Sequence, residues 1–243
     1  MCATQVKCGD CPLRKLEQFR KFASEELEFV KRFKSGELDV VSGATILVEG
    51  SHSGHLFTIL DGWAFRYKTL EDGRRQILNF ALPGDLIGLQ GTLMGEMQHS
   101  IEALSSMTLC VFERNRLMEL YSSYPTLAYD ITWIAASEER ILDENLLSVG
   151  RRSALERAAY LLVFLSQRAK SAGLSGHRRI PITQQHVADT LGLSIVHTNK
   201  TLRKLAKRGL IKWHDRACDV LNEEGLLKLS GWEGLSDTKR PFI

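Results

Sequence analysis

Cysteine is scarce in this chain of 243 residues: five in all, an odd number that argues against a framework of paired disulfides. Long apolar runs are missing as well. Stretches such as LLVF at 161–164 are far too short to cross a bilayer, so no membrane partner is expected. Residues 1–20 hold no apolar signal core. The expectation is therefore a cytoplasmic chain, held reducing, in which cysteines serve as thiols or ligands rather than as staples. No internal repeat or low-complexity tract interrupts it. The seven histidines are scattered, and no nucleophile–base constellation accompanies the cysteines, so an enzyme is not expected.

The residues present are unevenly distributed. Residues 1–150 carry 15 Lys and Arg against 21 Asp and Glu, whereas residues 151–243 carry 17 against 8. A basic last third joined to an acidic larger part points to a polyanion-binding module carried by something else. Three of the five cysteines, Cys2, Cys8 and Cys11, crowd the first eleven residues; the others are Cys110 and Cys218. At this length two domains are expected.

The periodicity predicts a short helix over 24–33, with Ser24 as its cap and Glu25 and Glu26 in its first turn. From about Glu37 short segments rich in β-branched and aromatic residues follow, such as HLFTILDG and RQILNFALPGD. Gly43, Gly50, Gly62, Gly73 and Gly84 punctuate them, as in a sandwich or jelly roll spanning about 37–114. Glu71-Asp72-Gly73 fits a hairpin turn. After Pro125 the helical period returns. Leu127, Ile131, Ile134 and Ile141 form a stripe that either packs on its own β-domain or pairs with a second copy to make a homodimer. Glu138 interrupts that stripe, and Glu139, Asp143 and Glu144 lie close by. Gly150-Arg151-Arg152-Ser153 marks the next junction, and a helix over about 154–170 follows.

Residues 181–211, PITQQHVADTLGLSIVHTNKTLRKLAKRGLI, carry the most information. Thr183 can cap a first helix to about Leu191, Gly192 allows a left-handed turn, and Ser194 can cap a second helix to about Arg208. Val187, Leu191 and Leu193 supply a small core, and Ala188 lets two helices cross closely. This is a helix-turn-helix pattern, whose second helix enters the major groove of double-stranded DNA. That helix holds Lys200, Arg203, Lys204, Lys207 and Arg208 and no acid, which suits phosphate neutralisation. Ser194, His197, Asn199 and Lys200 lie in the half that reaches base edges. Thr183 and Gln184, at the start of the first helix, are further candidate contacts. Residues 210–221 read as a two-stranded wing with Arg216 at its tip. The competing class is a ligand-binding module that controls a partner protein, its basic helix incidental.

A roll, a long helix and a winged helix-turn-helix, in that order, resemble the CRP/FNR family of bacterial transcription regulators. The segment 84–113, with Cys110, is similar to the FNR branch, and ALER at 154–157 and LGLS at 191–194 resemble the family's second domain. The resemblance implies an α+β fold with four parts: a cysteine-bearing arm (1–36), a cyclic-nucleotide-binding-type β jelly roll (37–124), a dimerisation helix (125–150) and a winged helix-turn-helix domain (151–243). It also implies a homodimer that binds a two-fold symmetric operator and contacts RNA polymerase.

The family's cyclic-nucleotide branch binds the cyclic phosphate through an Arg-Ser or Arg-Thr pair. The matching positions are His99 and Ser100, with no Arg between Asp85 and Arg114, so cyclic AMP is not the expected effector. Where many members read the operator with Glu, then Ser or Gly, then Arg, this chain has Val196, Asn199 and Lys200. In the FNR branch, cysteines near the N-terminus and one in the roll hold an oxygen-labile [4Fe–4S] cluster. Cys8, Cys11 and Cys110 match three of those ligands; Glu17 stands at the fourth, which leaves Cys2 to substitute. The same four thiols suit tetrahedral zinc, and a redox dithiol of Cys8 and Cys11 is the remaining reading. Cys218 reads as a packing residue.

Overall fold

A computed structural model describes residues 6–174, 178–235 and 238–243 of the chain. Two single 3-10 turns, Cys8–Asp10 and Pro12–Lys15, precede α1 (Ser24–Phe33). Then come β1 (Lys34–Val40), β2 (Thr45–Leu47), β3 (His55–Asp61), β4 (Ala64–Thr69), β5 (Arg75–Ala81) and β6 (Leu86–Ile87). After α2 (Leu89–Met94) follow β7 (Ser100–Ala103), β8 (Met107–Glu113), α3 (Leu117–Ser123), α4 (Pro125–Arg151) and α5 (Ala154–Ser171). The chain continues through β9 (Arg179–Ile180), α6 (Gln184–Leu191), α7 (Ile195–Lys207), β10 (Ile211–Trp213), β11 (Cys218–Val220) and α8 (Glu223–Ser230).

The chain divides into two compact units. The first holds the described residues up to Ala64, Ala81–Glu139 and the segment 238–243. The second holds Phe65–Phe80 and the described residues from Arg140 to 235.

In the first unit β1, β8, β3 and β6 form one sheet, antiparallel throughout, and β2 pairs with β7. The α1 helix spans the expected residues, but its cap is Ala23. Glu26 turns back to accept from the Ala23 N–H at 2.7 Å, so Ser24 becomes the first helical residue. Three rings from two elements close the core: Phe29 stacks on Phe33, both of α1, and Phe33 on Phe112 of β8, with centroids 5.4 and 5.0 Å apart. Burying each such ring is worth roughly 2–3 kcal/mol.

The predicted dimer stripe is corrected by this core. Leu127 and Ile131 are completely enclosed beside Phe29, Leu117 and Leu120, and Ile134 is buried too. Leu127 and Ile131 spend their apolar face on the roll's own unit, which leaves them no exposed surface to offer a partner. Ile141 is only partly covered.

In the second unit α5 is buried along most of its length and forms the hub for α6, α7 and α8. Ser153 caps it, accepting from the Glu156 N–H while Glu156 accepts from the Ser153 N–H at 2.7 Å. The β4–β5 hairpin turns through Glu71-Asp72-Gly73 as expected, closed by Leu70 N–H to Arg74 O at 2.9 Å. It belongs to this unit through side chains. Arg75 pairs with Asp189 of α6 at 2.9 Å and lies over the Phe65 and Tyr67 rings. Gln76 donates to Thr190 O at 2.9 Å, and Arg168 of α5 donates to Phe80 O at 2.7 Å.

Candidate nucleic-acid interface and thiol cavity

Thr183 caps α6, its hydroxyl accepting from the His186 N–H at 3.2 Å, while its own N–H meets the His186 ring at 3.3 Å. Gly192 ends that helix with φ +63°, a conformation that a side chain disfavours. Ser194 then caps α7 by accepting from the His197 N–H at 3.2 Å. Val187, Ala188 and Leu191 of α6 and Leu202 and Leu205 of α7 are buried, whereas Leu193 is only partly so.

The turn of an α-helix sorts the rest of α7. Thr198, Thr201, Leu202 and Leu205 face inward. Val196, His197, Lys200, Arg203, Lys204 and Lys207 are exposed on the opposite side, as are Ser194 and Arg208 at its ends. Asn199 departs from expectation. It lies on the flank of the helix, half-buried, with its Oδ1 enclosed and unpartnered. It is therefore not aimed with the basic face, and Val196 stands beside Lys200 instead. Gln184 is half-buried.

The wing forms as expected, Ile211 opposite Val220 and Trp213 opposite Cys218, with β9 as an unforeseen third strand. His214 N–H closes its turn onto Ala217 O at 2.8 Å, which leaves Arg216 exposed at the tip. Cys218 is fully buried there, its thiol pushed up to about 12 by burial and by Asp219. It packs rather than reacts.

In the first unit Cys8, Cys11 and Cys110 line a single cavity. The two 3-10 turns bring up Cys8 and Cys11, and β8 supplies Cys110. Cys11 and Cys110 are buried and Cys8 is half-buried; all three are free thiols. The arm is pinned by Lys34, which donates to Val6 O at 2.8 Å and pairs with Glu37; Glu37 also accepts from the Val6 N–H at 2.8 Å. Burial raises all three thiol pKa values, that of Cys110 to about 12, and Lys34 only partly opposes this. At neutral pH the thiols are protonated.

As arranged, these residues do not fit a four-iron cube. The cavity measures about 20 Å³, room for little more than one water. Among the described residues no three His, Cys, Asp or Glu side chains stand in a metal-holding group. The fourth candidate ligand, Cys2, lies outside the described residues, and Glu17 is exposed.

Comparison with known proteins bears on both units. Residues 37–124 match the cyclic nucleotide-binding domain, and residues 156–229 match the Crp-like helix-turn-helix domain. The chain is similar to the nitrogen fixation regulation protein FixK of Bradyrhizobium diazoefficiens, 32% identical over 84% of this chain and 85% of that one. It also resembles the transcriptional activator protein FnrL of Cereibacter sphaeroides, 27% identical over 84% of each. Among solved structures, FixK2 from Bradyrhizobium japonicum superposes with a TM-score of 0.70 at 25% identity, covering 79% of this chain and 96% of that one. The chain belongs to the CRP/FNR family of transcription regulators.

This CRP/FNR regulator is accordingly a DNA-binding protein and not an enzyme. In its roll, His99 and Ser100 are buried, and the Ser100 hydroxyl is taken by the Glu49 N–H at 3.0 Å. The regulator also offers an exposed series along α4 that the apolar stripe concealed. Tyr129, Thr132, Ala136, Glu139, Asp143, Leu146 and Gly150 recur at alternating steps of three and four, all exposed. Sequence reasoning missed this exposed series because it is mostly small or charged. It missed Arg75 and Gln76 because nothing local marks a hairpin residue as a partner of a helix more than a hundred positions away. Among the described residues no helix is long and apolar enough to cross a membrane.

Proposed function

We propose that this regulator works in the cytoplasm as a homodimer on a two-fold symmetric DNA site, with its thiol cavity as the signal-responsive part. The carrying observation is the acid-free basic face of α7, held in one compact unit while three thiols share a cavity in the other. Lys200 and His197, exposed near the N-terminal half of α7, are the proposed base readers. Asn199 joins them only if its side chain leaves its enclosed position. Arg203, Lys204 and Lys207 hold phosphates, Thr183 and Gln184 flank them, and Arg216 reaches the backbone from the wing. Pairing runs through the exposed α4 series. Contact with RNA polymerase follows from the family resemblance, as does response to oxygen or an oxidant.

A [4Fe–4S] cluster on Cys2, Cys8, Cys11 and Cys110 requires the cavity to open around it. Iron content and visible absorption of protein purified without oxygen decide that point. About four irons per chain, lost in Cys8→Ala and in Cys110→Ala, establish the cluster; colourless, iron-free protein leaves the thiols themselves as the responsive groups. DNA gel shifts before and after a thiol oxidant test the wider reading. An unchanged shift with the three thiols oxidised removes the cavity from signalling.

A further inference from the structure

Residues 238–243 belong to the first unit, although the described residues immediately before them belong to the second. Neither matched family domain includes them. Arg240 precedes Pro241, which favours extended backbone at Arg240. There it forms a parallel bridge beside Phe19. The Arg20 N–H donates to Arg240 O at 2.9 Å, and the Arg240 N–H donates to Gln18 O at 2.8 Å. The Arg240 guanidinium reaches the Asp85 carboxylate at 2.6 Å and Gly84 O at 2.9 Å, and lies over the Phe19 ring. Gly84 is required for this: at φ +88° a Cβ would stand 2.4 Å from that ring.

Beyond this anchor the segment turns apolar. Phe242 sits edge-on to Phe19 and against Phe22, with centroids 5.1 and 5.0 Å apart. The Thr58 hydroxyl donates to Ile243 O. Phe242 and Ile243 are each 4% exposed, and both form part of the wall of the cavity that holds Cys8, Cys11 and Cys110.

We propose that the segment 238–243 is a seal, anchored by Arg240, that closes the thiol cavity and governs reagent access to Cys8, Cys11 and Cys110. The arm contributes one wall and the roll another; Phe242 and Ile243 are the part contributed from a distant point in the chain. The anchor is polar and local to Asp85 and Gly84, whereas the closure is apolar, so the two are separable by substitution. The seal concerns access alone and holds whichever signal the cavity answers to.

The experiment is alkylation of the native full chain with iodoacetamide, read per cysteine by mass spectrometry. Cys218, buried in the other unit, is the internal reference. In Phe242→Ala the three cavity thiols should be alkylated at least about tenfold faster relative to Cys218, because local opening no longer limits access. Arg240→Gln leaves the apolar wall intact and frees the anchor; it should raise the same three rates by a smaller factor. If either variant loosens the whole fold, Cys218 rises in step and the ratio does not. The proposal is overturned if neither variant raises the cavity rates relative to Cys218.

Discussion

At the scale of single residues, α7 separates reading from holding. Lys200 lies toward the N-terminal half and Lys204 a turn later, both exposed on one face. Lys200→Ala should cost about 1–3 kcal/mol on a specific site and less on random duplex. Lys204→Ala should weaken both alike and lower the slope of log affinity against log salt by about one. Titrations at several salt concentrations check both; equal losses on specific and random DNA for Lys200→Ala remove it from the reading set. His186 makes a pH-dependent contribution. Burial, then Arg75, holds its pKa down at about 4, from an ordinary 6.5, with Asp189 opposing. Its folded form resists a proton that the unfolded chain accepts, so stability is complete above about 6.5 and falls as pH drops from there toward about 4. Thermal unfolding across that window should show the decline, and His186→Gln should flatten it.

The elements show where a pattern carries meaning and where it misleads. In α4 two series run along one helix. Leu127, Ile131 and Ile134 are the obvious apolar one, and the roll's own unit consumes it; the exposed one includes Leu146, 74% accessible. Ile134→Glu should therefore lower stability by roughly 3–5 kcal/mol by burying an unpaired charge, without acting on association as such. Leu146→Glu should leave the fold stable and shift sedimentation toward monomer. A Leu146→Glu protein that stays dimeric contradicts the proposed seam. The helix-turn-helix was legible because its determinants are local: Thr183 and Ser194 as caps, Gly192 between them, and Val187 and Leu191 beneath. The length of α1 was legible from periodicity, but its cap was not, since Glu26 reaching back outcompeted Ser24. Among the elements, β9 and α8 gave too short a periodic signal to be read.

For the whole molecule, the arrangement into two units was legible only in part. The charge division near residue 150 marked the basic module, but the hairpin 65–80 joins that module through Arg75–Asp189 and Gln76–Thr190. Such long-range partnerships leave no periodicity to find. The convergence of Cys8, Cys11 and Cys110 was expected from the family resemblance. Its closure by Phe242 and Ile243 was not, because an extended apolar segment carries no address for its partner. Linkage between the thiol cavity and DNA is reciprocal. Alkylation of Cys8 and Cys110 should change at least about threefold when a specific duplex is bound, the mirror image of any effect of thiol state on affinity. Equal rates with and without DNA uncouple the cavity from DNA binding.

The most direct test of the account is selection of duplexes from a randomised library by the full-length protein, followed by sequencing. The account predicts enrichment of a two-fold symmetric site whose half-sites are centred about one helical turn, roughly 10–10.5 base pairs, apart, with enrichment lost in Leu146→Glu. Recovery of no common sequence, or of a single unpaired half-site bound equally well by Leu146→Glu, contradicts it.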